Sequence, residues 1–375
     1  MHLAVYGVDQ EIGMKNYRVI ALALFVLCLG GLAMAAPWKF AVLCDSRGAE
    51  TGVQGSDTGV RTSVLGPMAT AMAADGVDLV LFPGDEANGG PSCGKLVDQL
   101  KKWKETMAPL YEKHIPIYSF RGNHEEGQDF PPGSAVAAWD AVFPELPQNG
   151  PKGQKGLTYK VEHGNALFIG FDQYVGRAAT YNSGRYDSTT NTGAVHPWVL
   201  QQINAATADW VFAFGHEPAF IATHRDCLAN APAERDALWD ALGAKNGIYF
   251  SGHDHLYVRR TAPDRAGHAV TECIVGCAGA PFYPLSGEAL NADYDRHVVP
   301  TDQFVNAAHG GTKNTNDYPQ YYGYLLITVD GNTLTGEWKA FVNYDYKNWK
   351  APEKPEFKTL DTFTLVKRAA AVLAK

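Results

Sequence analysis

The chain has 375 residues, 46% of them hydrophobic and 19% charged, with 40 acidic side chains against 32 basic ones and a formal charge of -8. Such a composition excludes a disordered or fibrous chain, and the length leaves room for one large domain or two ordinary ones. The acidic balance argues against a general nucleic-acid binder, which would carry a basic face. A small phosphate ester remains open, because bound divalent cations would dominate the field inside a cleft.

Lys15 and Arg18 precede the apolar run Val19 to Leu32, and the small residues Ala33-Met34-Ala35-Ala36 follow it. That is the layout of a secretory signal over residues 1–36, with Met14 as an alternative start. Cleavage near Ala35 or Ala36 would leave a mature protein of residues 37–375 in the periplasm or medium. The alternative is a retained anchor, since the run is near spanning length, and membrane contact is expected only through it. Loss of Cys28 leaves five cysteines, so at least one is unpaired. Cys273 and Cys277 are the nearest pair in sequence, and Cys44 reads as a small buried hydrophobe.

Beyond the signal, Trp38 to Cys44 reads as a buried strand. Val60, Val64, Met68 and Met72 recur at four-residue spacing, as on a helix face. Asp78 to Pro83 is a strand. Leu96, Leu100, Trp103, Met107 and Leu110 mark one amphipathic helix, and Ile115 to Phe120 a third strand. This alternation implies parallel crossovers and a layered α/β domain. A hairpin follows, Leu157 to Val161 and Ala166 to Phe171, turning at His163-Gly164-Asn165. Residues 176–193 and 281–320 are polar and read as long loops. Between them come a helix over Pro197 to Ile203, a strand over Trp210 to Phe214, a helix over Ala233 to Leu242 and a strand over Ile248 to Phe250. From Tyr257 the pattern is strand and turn, clearest at Ile274 to Val275, Tyr324 to Val329, Thr335 to Phe341 and Thr362 to Val366. Asp330-Gly331-Asn332 is a hairpin signal. The C-terminal strands are expected to form a second, antiparallel sheet within a single domain.

Five apolar runs end in a polar motif: Asp45-Ser46-Arg47, Gly84-Asp85, Gly122-Asn123-His124-Glu125, Gly215-His216-Glu217-Pro218 and Gly252-His253-Asp254-His255. In open α/β sheets ligands bind beyond the carboxyl ends of strands. Carboxylates, an amide and imidazoles should therefore meet in one crevice. Mixed oxygen and nitrogen donors suit Mn, Fe or Zn.

This ordered set resembles the calcineurin-like metallophosphoesterases, a superfamily that includes purple acid phosphatases, cyclic nucleotide phosphodiesterases and protein serine/threonine phosphatases. The resemblance covers residues 38 to 280. It implies an α/β fold, a four-layer β-sandwich flanked by helices, with two divalent or trivalent transition metals (Mn, Fe or Zn) at its edge. By the same resemblance, Asp45, Asp85 and His255 match ligands of one metal. Asp85 bridges to the second, which Asn123, His216 and His253 complete. Such a carboxylate keeps two cations about 3.5–4 Å apart, and the pair activates water for in-line attack on phosphorus. His124 matches the residue that donates to the phosphoryl oxygen or the leaving group, and an imidazole suits acid work near neutral pH. Substrate binding would fall to Arg47, Asn123 and His124, with a small-molecule phosphoester, mono- or diester, as substrate.

Two positions depart from the family pattern. The first motif usually reads Asp-x-His, but its third residue here is Arg47, and a guanidinium cannot ligate a metal. The first metal is then weakly held, completed by water, or absent. Arg47 could instead grip a substrate phosphate, or serve as charge partner to Asp45 or a nearby acid. Asn88 stands where protein phosphatases carry Asp and purple acid phosphatases carry Tyr, so no purple colour is expected; its side chain either orients His124 or simply makes a turn. His114, His163, His196, His268, His297 and His309 read as surface or loop residues, whereas His224 could line the cleft. Tyr181, Tyr186, Tyr321 and Tyr322 could stack on substrate or pack locally. Asp172 reads as structural. The leading expectation is an exported metal-dependent phosphoester hydrolase using His124 and Arg47, and the alternative is a scaffold with an incomplete first metal site.

Overall fold

Phe40, Phe168, Phe212 and Phe250 sit at inward positions of four different strands and meet edge-on or tilted, with Phe40 5.2, 5.0 and 5.9 Å from the other three rings. Burying each such ring contributes about 1.5–3 kcal/mol. They mark the interior of a two-sheet sandwich in a computed structural model of the chain. It describes residues 36–48, 59–90, 92–126, 133–174, 195–220, 222, 227–228, 231–282, 305–306, 321–345, 348 and 350–368. Residues 1–35, the span 176–193 and most of 281–320 lie outside them.

In chain order the elements are β1 (Trp38–Val42), α1 (Thr62–Asp75), β2 (Leu79–Phe82), α2 (Cys93–Thr106), α3 (Ala108–Tyr111), β3 (Ile117–Ser119), α4 (Asn123–Glu126) and α5 (Ser134–Val142). Then come β4 (Tyr159–His163), β5 (Ala166–Gly170), α6 (Val195–Ala205), β6 (Trp210–Phe214), α7 (Pro232–Ala244), β7 (Gly247–Ser251), β8 (Tyr257–Pro263) and β9 (Ala269–Val275). Last are β10 (Val305–Asn306), β11 (Gly323–Asp330), β12 (Thr333–Phe341) and β13 (Phe357–Val366).

One sheet has the order β13-β12-β11-β1-β2-β3, the other β10-β8-β9-β7-β6-β5-β4. Within them β1, β2 and β3 are parallel neighbours, as are β5, β6, β7 and β9. Strands β2, β6 and β7 are buried at every position, which is why they read as unbroken apolar runs rather than alternating ones. Met68, Met72, Leu100 and Trp103 cover the first sheet from outside, whereas Trp239, Leu242 and Ile203 pack on the second with Ile169 and Tyr249.

Two expectations change. The helix drawn through Leu110 is two helices, because Pro109 lacks an N–H and crowds the preceding turn, so the chain breaks at Met107. The C-terminal strands form no sheet of their own. Instead, β11 pairs antiparallel with β1, Phe40 opposite Ile327, and satisfies the edge that β2 leaves open.

Candidate metal centre

Each motif begins where a parallel strand stops: Asp45 beyond β1, Asp85 beyond β2, Asn123 beyond β3, His216 beyond β6, His253 and His255 beyond β7. The structure brings all six together. Asp45, Asp85 and His216 are buried and have ligand atoms within 4.8 Å of one another. His253 joins them through its backbone N–H, which donates to Asp45 Oδ2 at 2.9 Å, and its Nδ1, 3.1 Å from Asn123 Oδ1.

The backbone is shaped for this convergence. Asp45, Asp85 and His253 have φ of 61°, 54° and 65°, the left-handed region that residues with a Cβ seldom adopt. Hydrogen bonds between motifs hold them there: Asp45 N–H to the Gly84 carbonyl (3.3 Å) and Ser46 N–H to the Asp85 carbonyl (3.0 Å). Glu125 accepts the N–H groups of Asp85, Ala87 and Gly122 at 3.1, 2.9 and 2.8 Å. The sequence signals this role for Glu125 only through an acid placed directly after the His of Gly-Asn-His.

Three imidazoles are oriented alike. Nδ1 of His216 faces the Pro83 carbonyl at 2.8 Å, Nδ1 of His255 the Pro281 carbonyl at 2.6 Å, and Nδ1 of His124 the Asn88 carbonyl at 2.9 Å. A carbonyl only accepts, so each Nδ1 carries a proton and Nε2 is the ring nitrogen left to act as a metal ligand or proton donor. His216 Nε2 then faces Asn123 Oδ1 at 3.1 Å and Asp85 Oδ1 at 3.4 Å. These atoms converge on a place that a cation fits, and oxygen with imidazole is the donor set for Mn, Fe or Zn. Asp45 Oδ1 is buried without a hydrogen-bond partner, 3.5 Å from His255 Nε2.

Arg47 reaches into the same site. Its Nε donates to Asp85 Oδ2 at 3.1 Å and its Nη2 lies 3.3 Å from His255 Nε2. Of the two charge partners considered, the nearby acid is Asp85. Burial opposes the ionised form of Asp85, but His216, His124 and the Arg47 guanidinium outweigh it and hold the carboxyl well below the usual range. Burial, reinforced by Arg47, pushes His124 down to about 4 and His255 below its ordinary value. Burial and the Asp85 charge push Glu125 up to about 8.

His124 keeps 26% of its side chain exposed, whereas Asp45, Asp85, His216 and His255 keep 1% or less, so the site opens at His124. The Asn88 side chain does not orient His124; the backbone carbonyl does, and that needs no particular side chain. Asp172 is structural and receives Arg121 Nε at 2.8 Å. Tyr322 packs locally against Phe282 with ring centres 4.5 Å apart, His163 lies against Trp38, and His268 bonds Asp264. Cys44, Cys93, Cys273 and Cys277 are thiols, so the nearest sequence pair is not bridged. Tyr181, Tyr186, His224, His297, His309 and the His196 side chain lie outside the described residues.

The fold is similar to that of purple acid phosphatase PPD1 from yellow lupin seeds, with a TM-score of 0.59 at 13% identity over 88% of this chain and 54% of that one. The chain thus spans about half the length of the lupin protein. PhoD aligns with a TM-score of 0.60 at 16% identity, over 89% of this chain and 70% of that one. GAP50, the anchor in the inner membrane complex of Plasmodium, aligns with a TM-score of 0.52 at 12% identity, over 89% and 90%. No curated protein matches the chain in sequence. Residues 56–257 match the calcineurin-like phosphoesterase family, a span that holds Asp85, Asn123, His216, His253 and His255 and begins after Asp45 and Arg47. With more than half of its length matched, the chain belongs to the calcineurin-like phosphoesterase family.

Proposed function

We propose that the protein is an exported, metal-dependent phosphoester hydrolase acting on a small-molecule mono- or diester. The observation that carries this reading is the convergence of His216 Nε2 on Asn123 Oδ1 at 3.1 Å and Asp85 Oδ1 at 3.4 Å, in a member of a phosphoesterase family. Asp85, Asn123, His216 and His253 would hold Mn, Fe or Zn, which when bound supplies Lewis acidity and a nucleophile at neutral pH. The remaining work falls to the chain. Asn123 and Arg47 would position the phosphoryl oxygens, the guanidinium through its fixed positive charge. His124 stands at the mouth with its Nε2 3.9 Å from Asp85 Oδ2. It is neutral until an anionic ester arrives, whose charge raises its proton affinity and turns it into a donor toward the leaving oxygen.

Arg47, where the family pattern has a metal-ligating His, favours a second reading, a metal-binding scaffold without turnover. The fold alone does not choose, since similar folds serve a phosphatase and an anchor. Hydrolysis of one aryl phosphomonoester and one aryl phosphodiester by residues 37–375, metal-stripped and with added Mn²⁺, decides between them. Metal-restored turnover supports the hydrolase, and the preferred ester sets its class; no turnover with metal bound supports the scaffold.

Export rests on the basic, apolar and small-residue order of residues 15–36. Among the described residues no helix is long and apolar enough to cross a membrane. N-terminal sequencing of protein from fractionated cells tests it, with a start just after Ala35 or Ala36 expected outside the cytoplasm.

A further inference from the structure

The two halves of the centre are not alike. On one side, His216 Nε2 lies 3.1 Å from Asn123 Oδ1 and 3.4 Å from Asp85 Oδ1, which also takes the His124 N–H at 3.1 Å, and no guanidinium stands between them. On the other, the acceptors are engaged. Asp85 Oδ2 takes the Arg47 Nε–H at 3.1 Å, and His255 Nε2, its Nδ1 proton committed to Pro281, lies 3.3 Å from Arg47 Nη2. Arg47 is no surface side chain folded inward. It is 5% exposed, and its backbone bridges to Val60 while the neighbouring Ser46 N–H bonds the Asp85 carbonyl.

A guanidinium has five N–H donors, no lone pair and a fixed charge. It cannot complete a coordination shell, and it repels a second cation at the same spot. It does give Asp85 and His255 what a metal would give them, positive charge at their lone pairs. Asp45 is left with Oδ2 on the His253 N–H and only Oδ1 uncommitted, and one carboxylate oxygen is too little to hold a further ion.

We infer that the centre takes a single metal ion, among Asp85, Asn123, His216 and His253, and that Arg47 is its built-in second cation, standing where a metal pair would need its first ion. The inference deepens the metal-dependent reading above and rests on it for the presence of a metal.

Metal content tests it without reference to turnover. Wild-type protein is stripped, reloaded with excess Mn²⁺, freed of loose ion by gel filtration, and measured by elemental analysis and electron paramagnetic resonance. One Mn per chain, with the hyperfine pattern of an isolated Mn(II), is expected. Two per chain with an exchange-coupled spectrum overturns the inference, and so does none. Asp45→Asn should keep the single ion; loss of half of a two-ion content overturns the assignment. Arg47→His should gain a second ion and a coupled spectrum, and a folded variant that still holds one overturns the place given to Arg47. Should Arg47→His fail to fold, the wild-type and Asp45→Asn contents still decide. One ion without phosphoester turnover removes the hydrolase reading and leaves this inference standing, whereas two ions with turnover does the reverse.

Discussion

Glu125 Oε2 lies 3.1 Å from the backbone nitrogen of Asp85, and the same oxygen lies 2.8 Å from that of Gly122. One buried carboxylate thus fastens the second motif to the third, and it holds Asp85 in its left-handed conformation. Glu125→Gln replaces an accepting oxygen with an NH₂ that confronts an N–H. Above about pH 8, where Glu125 is ionised, the variant should lose about 1–3 kcal/mol in urea unfolding relative to wild type. Its Mn²⁺ affinity, read by titration, should fall about 10- to 100-fold. Unchanged affinity would show that Asp85 is placed by its other contacts.

The glycines before two donors leave room for donors of other motifs. A Cβ on Gly122 would stand 2.1 Å from Asp85 Oδ1 and 2.5 Å from the Asp85 nitrogen. On Gly252 it would stand 2.2 Å from Asp45 Oδ2 and 2.3 Å from Cys44 Sγ. Neither neighbour is the loose end of a flexible chain. Gly122→Ala and Gly252→Ala should each cost about 1–3 kcal/mol and lose bound Mn²⁺ in equilibrium dialysis. A variant retaining full metal content would mean that the strand ends can part without disturbing the donors.

His124 supplies the pH dependence. Its pKa is about 4 in the folded chain and ~6.5 unfolded, so between these values the unfolded chain binds more protons. Stability from this residue is therefore complete above pH ~6.5 and lost as the pH falls towards 4. Buried carboxyls with raised pKa, Glu86 and Glu125, act in the opposite sense, so the effect is isolated by comparison with His124→Asn. In metal-free protein, wild type should lose up to about 3 kcal/mol relative to that variant between pH 7 and 4. Parallel stability curves would contradict it.

Arg121, directly before the Gly122 motif, is 1% exposed and bonded to Asp172 at 2.8 Å and to Glu126. Arg121→Met leaves the Asp172 carboxylate buried without its counter-charge, at a cost of about 3–5 kcal/mol. Adding Asp172→Leu should recover most of it, since the stranded charge does the damage. Urea unfolding of the single and double variants measures both, and a double variant no better than the single would point to lost packing instead.

The sequence revealed most where one principle acted alone. Fully buried parallel strands make unbroken apolar runs, so Trp210–Phe214 was legible to the residue, and the rule that ligands gather past strand ends put Asp45, Asp85, Asn123, His216, His253 and His255 in one crevice. Contacts between distant elements were not legible. The pairing of β11 with β1 depends on which edge remains open after β2 docks, and nothing in either strand records that. The break at Met107 was visible in Pro109 but was overridden by an apolar spacing that continued past it. Asn88 drew attention for its side chain, although its carbonyl does the work. Arg47 departs from the expected motif in the sequence, but its partners, Asp85 and His255, emerge only when the strand ends are side by side.

Because β1 pairs with β11, the order of synthesis matters. The strand that delivers Asp45 comes first in chain order among the described strands, yet its neighbour on one side spans Gly323–Asp330. A nascent chain halted before Gly323 carries every predicted ligand but has β1 as a bare sheet edge. With β11 missing, that edge stays unpaired, so a chain cut just before Gly323 should not become metal-binding.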